Sequence, residues 1–236
     1  MSRVHGADGC RGGWAVVSIA ADGPPDPVLT YEGELAKLIA GGEVVAVDMP
    51  IGLPERISGP GRPAEQAVRP LLGPRQSSVF SMPGRAAVYA ADYRAACEAA
   101  LATSDPPRKV SRQGFHLFPA VRALDALVTP ENQARIFEVH AEVAFWRLNG
   151  EAPMPTAKRV KSVPTREGLA ERIALLAAHG IAPALFDARP KGMPLVDAVD
   201  AAAVALIARR CAHGDARPFP DPPAMDERGL RIAIWA

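Results

Sequence analysis

The sequence predicts a mixed α/β sheet flanked by helices, built as one domain over residues 1–236. Three observations predict it. Three extended segments separated by turn residues open the chain. A nearly continuous apolar run, EVVAVDMPIGLP, follows and reads as a buried central strand. Helical patterns then alternate with further extended segments to the C-terminus. With 48% of its 236 residues hydrophobic, the chain has enough apolar material for a substantial core.

The first extended segment closes at Asp8 in GADGCRGGW, where Gly12 and Gly13 turn the chain into a second, residues 14–20, rich in Val and Ile. DGPPDP breaks that strand and PVLTYEG supplies the third, completing an N-terminal antiparallel meander. GELAKLIAGG reads as a short helix stopped by glycine, and EVVAVD as a strand ending at Asp48, just before Pro50. Prolines crowd residues 54–83, which predicts loop with a short helix over 65–72. Helical spacing covers 85–103, SDPPRKVSRQG is a polar break, and a second helical stretch runs over 119–127. Residues 135–140 read as a strand and 141–148 as a helix stopped by Asn149 and Gly150. PTAKRVKSVPT is a basic loop, EGLAERIALLAAHG an amphipathic helix ended by Gly180, and PLVDAVDAAAVALIARRCAHG a long Ala-rich helix. GLRIAIWA is the last extended segment.

Composition narrows the function classes. Lys plus Arg (27) nearly balances Asp plus Glu (26), so the chain lacks the broad positive field that holds long nucleic acid through its phosphates. Any basic site is local. Three widely spaced cysteines, Cys10, Cys97 and Cys211, suit neither a disulfide framework nor a zinc site and fit a reducing cytoplasm. Cys10 has no sequence cue pairing it to a base and reads as a packed side chain. MSRVHGADG has no signal-peptide pattern, and no apolar run reaches ~18 residues without charge, so a cytoplasmic protein with no membrane partner is expected. Nothing in the sequence sets the oligomeric state.

Carboxylates mark the candidate site. Asp8 ends the first strand and Asp48 ends a central one; with the first and fourth strands adjacent, the two would lie side by side. Asp197 and Asp200, three apart near the start of a helix, share a face and would point at the same edge. Glu138 in IFEVH adds a further carboxylate. Such groups converging without cations would repel and raise one another's pKa, which a divalent cation relieves; Mg2+ and Mn2+ favour oxygen ligands. Arg11, Arg75, Arg85, Lys158 and Lys161 lie in loops and are candidates for binding phosphate, with Ser77 and Ser78 beside Arg75 as a candidate anion nest. His140 reads as a strand-end or N-cap residue and Glu142 as a first-turn helix acid.

GADGCRGGW, VAVDMPIGLP, LGPRQSSVF, FEVHAEVAF and LVDAVDA resemble, in that order, the motifs of domain of unknown function family 429, described as predicted ribonuclease H-like nucleases. The resemblance runs from about Arg3 to GLRIAIW and implies a ribonuclease H-like fold. In that superfamily a first-strand aspartate, a fourth-strand acid and C-terminal helix acids bind catalytic metals, and Asp8, Asp48, Asp197 and Asp200 occupy the matching positions. There are departures. Ala141 stands where the family tends to have proline, Glu65 where it usually has aspartate, and Ala120 and Ala123 roughly where it carries a lysine and a glutamate.

The expected activity is Mg2+- or Mn2+-dependent hydrolysis of a phosphodiester in a nucleic acid or nucleotide, held by weak, local contacts. Asp8 would bridge two metals ~3.5–4 Å apart, with Asp48, Asp200 and Asp197 or Glu138 completing the shell. The alternatives are a non-catalytic nucleotide- or protein-binding module, which the alanines at 120 and 123 favour, and a nucleotide phosphohydrolase.

Overall fold

The computed structural model describes residues 2–161 and 163–236; Met1, and Ser162 within the expected basic loop, lie outside the described residues. The meander forms as expected: β1 (Arg3–Cys10), β2 (Gly13–Ala20) and β3 (Val28–Glu32) pair antiparallel. Gly12, at φ +79°, makes the β1–β2 turn in a backbone region that side chains disfavour. Next come α1 (Leu35–Ala40) and β4 (Val44–Asp48), which pairs parallel to β1. The proline-rich stretch holds β5 (Ile57–Ser58), α2 (Pro63–Leu72) and a 3₁₀ turn over Gly73–Ser78.

The helix expected over 85–103 is two, α3 (Arg85–Val88) and α4 (Tyr93–Thr103), because Asp92 restarts the helix by accepting a hydrogen bond from the Ala95 amide at 2.9 Å. After β6 (Ser104–Asp105), α5 (Arg112–Asp125) begins well before residue 119; Ser111 caps it, and Pro119 is carried inside. β7 (Ile136–Glu138) and α6 (Ala141–Leu148) follow. The basic loop contains a small pairing of β8 (Arg159–Val160) with β9 (Val163–Pro164). Then come α7 (Arg166–Ala178), α8 (Ala184–Asp187) and α9 (Leu195–His213). The tail is a hairpin of β10 (Pro218–Met225) and β11 (Arg231–Trp235); its first strand, PFPDPPAM, hides its extended character behind four prolines.

Among the described residues the central sheet has five strands in the order β3-β2-β1-β4-β7, and β7 is parallel to β4. Strand alternation divides its side chains between two cores. Val4, Ala15, Val17, Ala46 and Phe137 face α6 and α9, while Ala7, Val16, Val45, Val47 and Ile136 face α1, α3, α4 and α5. The β10–β11 hairpin packs separately on α2 and α6 through Ile232, Ile234, Val68 and Trp146. No described helix is long and apolar enough to cross a membrane.

The packing of α9 sets the site. Residues 198–208 of this helix are all buried, as an all-round apolar helix requires. A Cβ on Gly6 would stand 2.1 Å from the Ala205 amide nitrogen and 2.5 Å from the Ala201 carbonyl. β1 therefore touches the backbone of α9, and only glycine against alanine permits that approach. The helix is thereby fixed directly over the strand that carries Asp8.

Candidate functional site

Asp8 shares a strand face with Val4 and Gly6, and Asp48 shares one with Ala46, so both point toward α9. Parallel pairing puts them opposite each other in register. From the helix side, Asp200 completes the group: one carboxylate oxygen from each of Asp8, Asp48 and Asp200 lies within 4.8 Å of the other two. Asp197, one turn earlier on α9, lines the same cleft outside this triad.

Crowding shows in the acidities. Burial, then Asp48, Asp200 and Asp197, hold the Asp8 carboxyl well above its ordinary value of 3.8. Asp48 is also raised by burial, against the pull of His140 and of the Ala141 amide, which donates to its Oδ2 at 3.2 Å. Burial and Asp200 push Asp197 up to about 6. Cations oppose this: Lys158 Nζ is bonded to Asp200 Oδ2, and Arg159 and Lys158 pull Asp197 down. Burial alone would lower the Lys158 pKa, but Asp200, Glu142 and Asp48 leave it raised. Asp200 Oδ1 is buried with no partner among the described residues.

The carboxylates floor a cleft of about 560 Å³. One wall is the segment after α2, with Arg75, Ser77, Ser78 and Phe80; another carries Lys158 and Arg159; α5 contributes Gln113 and Leu117. A family model covers residues 6–225 of the chain under the description Protein of unknown function (DUF429). The chain belongs to that family. Neither a curated protein nor a solved structure matches it.

In this DUF429 chain the structure separates the residues that the sequence grouped. Glu138 departs from the carboxylate group because it pairs with Val47, not Asp48, and so faces the opposite side of the sheet. There its carboxylate receives Arg62 Nη2 at 2.6 Å, Arg62 Nη1 at 3.1 Å and the Ile51 amide at 2.7 Å. Arg62, fully buried, also binds Glu65 and donates to the carbonyls of Ile51 and Gly52. Burial raises Glu138 to about 7 while Arg62 pulls it down; two carboxylates share one guanidinium. The triad pins the loop that leaves Asp48.

The cations also divide. Arg75 lines the cleft, its Nε buried without a partner among the described residues, and Lys158, in the bend just before β8, reaches inward to the carboxylates. Arg85 is removed from the phosphate-binding set: it bridges Asp125 at 2.7 Å and Asp226 at 2.9 Å, away from the cleft lining. Arg11, at the tip of the β1–β2 hairpin, and Lys161, between β8 and β9, are exposed and do not line the cleft. His140 caps α6 as expected, its Nδ1 accepting from the Glu142 amide at 3.2 Å. Glu142 is more than a first-turn acid, since it forms a buried pair with Arg172 at 2.5 Å. Burial raises the Cys10 thiol to about 11, consistent with a packed side chain. Of the residues that sequence reading passed over, Arg62 gave only its spacing of three from Glu65, because its other partner, Glu138, is 76 positions away. Phe80 did give one, as an aromatic residue in a proline-rich loop.

Proposed function

We propose that this protein is a divalent-metal-dependent phosphodiester hydrolase of ribonuclease H-like type, acting on a nucleic acid or nucleotide. The observation that carries the reading is the convergence of Asp8, Asp48 and Asp200 from two adjacent parallel strands and one helix. The sheet order β3-β2-β1-β4-β7, with a meander first and α9 across it, supports the ribonuclease H-like arrangement.

The donor set fits a hard divalent cation. Three carboxylates present oxygen ligands within a few ångströms, the Asp8 charge is strained by its neighbours, and Asp200 Oδ1 has no partner among the described residues. Asp8, Asp48 and Asp200 would hold the ion, with Asp197 at the edge. Such an ion supplies Lewis acidity and lowers the pKa of bound water. Arg75 would receive a substrate phosphate from the cleft wall, and Ser77 and Ser78 would offer hydroxyls beside it. Lys158 would exchange its bond to Asp200 for one to substrate.

Lys158 also supports a second reading, a non-catalytic nucleotide-binding module in which the lysine is the permanent counter-ion of the cluster. Calorimetry with Mn2+ separates the two, alongside hydrolysis of bis(4-nitrophenyl) phosphate. The hydrolase reading expects heat and turnover with the native protein and neither with Asp8→Asn. No Mn2+ heat from the native protein, or equal heat from both, would sink it and leave the binding module.

A further inference from the structure

The carboxylate cleft is not isolated. A second hollow, of about 290 Å³, adjoins it, and the two share the wall formed by Val79, Phe80 and Met82. Val79 and Met82 are buried, whereas Phe80, between the two cavities, is 40% exposed. Its backbone is firmly held. Arg69 donates to the Val79 carbonyl at 3.2 Å and to Ser81 Oγ at 2.8 Å, and Ser81 donates to the Pro60 carbonyl at 2.9 Å. A rigid ridge thus presents one aromatic ring to solvent.

The far hollow has a distinct chemistry. Arg108, Lys109, Ser81, Ser104 and Ser111 line it, and no carboxylate does among the described residues. Arg108 and Lys109 are exposed and have no side-chain partner among the described residues. Arg108 also stands close enough to the partly buried Arg69 to disfavour its charge. Cations gathered without acids attract an anion. Anionic floor, aromatic ridge and basic hollow therefore follow one another along the surface.

We propose that the two hollows form one track for a single strand of nucleic acid: the reacting phosphodiester lies over the carboxylates, a base stacks on Phe80, and a neighbouring phosphate sits at Arg108 and Lys109. This rests on the hydrolase reading of the carboxylates and narrows it to a substrate of at least two nucleotides. Stacking tolerates any base, so the track reads length and strandedness rather than sequence.

Fluorescein-labelled thymidine oligomers of one, two, four and eight nucleotides, and a short duplex, test it by anisotropy in EDTA and in calcium. Affinity rises from the mononucleotide to the four-mer, and single strand binds better than duplex. Arg108→Gln with Lys109→Gln weakens four-mer binding and lowers the slope of log K against log salt by about 1.4, the effect of two phosphate contacts. Phe80→Ala weakens it about tenfold while Phe80→Trp retains it. A charge-matched pair, Lys37→Gln with Lys191→Gln, is the control. Affinity independent of length, duplex bound as well as single strand, or an equal loss in the control overturns the track. Hydrolysis of bis(4-nitrophenyl) phosphate by the native protein reports the catalytic reading separately: strand binding of this pattern without hydrolysis keeps the track and removes the hydrolase.

Discussion

At the scale of single residues, the three converging aspartates make a cluster that is unfavourable when ionised. A carboxyl whose folded pKa is raised contributes stability that is complete below its unfolded pKa and is lost as pH rises through the folded one. For Asp197 that window runs from the ordinary 3.8 to about 6, and Asp8 is shifted in the same direction. The metal-free protein should therefore melt at progressively lower temperature across that range, and Asp8→Asn should flatten the decline and raise Tm at neutral pH. An unchanged pH profile in Asp8→Asn melts would contradict this. Lys158 gives the opposite sign. Replacing it with methionine leaves Asp200 without its counter-ion, so stability should fall by roughly 3 kcal/mol in urea titrations, with Mn2+ restoring part of it.

Two contacts between elements set the geometry of the cluster. The first is the bare backbone approach of β1 to α9 at Gly6, where an added methyl would collide with Ala205 and Ala201. Gly6→Ala should cost about 3 kcal/mol and, by shifting α9, weaken Mn2+ binding although no ligand has changed. Denaturant titration and calorimetry read the two effects; full stability would show that the helix is free to move. The second is the Arg62–Glu65–Glu138 triad on the loop after β4. Arg62→Met leaves two buried carboxylates unpaired and should destabilise by roughly 3–5 kcal/mol. Glu138→Gln, by contrast, should leave the heat of Mn2+ binding near native. If that variant abolished the heat, Glu138 would belong to the metal site after all.

For the whole molecule, the N- and C-terminal halves interleave in the same cores. α9 lies against β1, β2 and β4, and the β10–β11 hairpin closes on α2 and α6, so no contiguous segment owns its own interior. A single cooperative unfolding transition is expected. Trp14 sits in one core, while Trp146 and Trp235 lie near the others, so fluorescence samples several regions. Its urea midpoint should coincide with that of far-UV circular dichroism; separated midpoints would show two folding units.

The sequence by itself determined the meander, the long Ala-rich helix and the placing of Asp48 at a strand end, because turn residues and apolar periodicity are local signals, whereas β1 runs two residues past Asp8 to Cys10. Family membership was legible too, since ordered motifs survive in the linear text. Register and pairing were not. Whether Glu138 sits beside Val47 or Asp48 is a shift of one residue between strands about ninety positions apart, and that shift alone turns it from the aspartate cluster to Arg62. In the same way Lys158 and Arg85 are both loop cations in the sequence, and only the fold brings one to Asp200 and the other to Asp125 and Asp226. Charges find their partners through space, and long-range proximity is decided by how helices and strands pack, not by neighbouring residues in the chain.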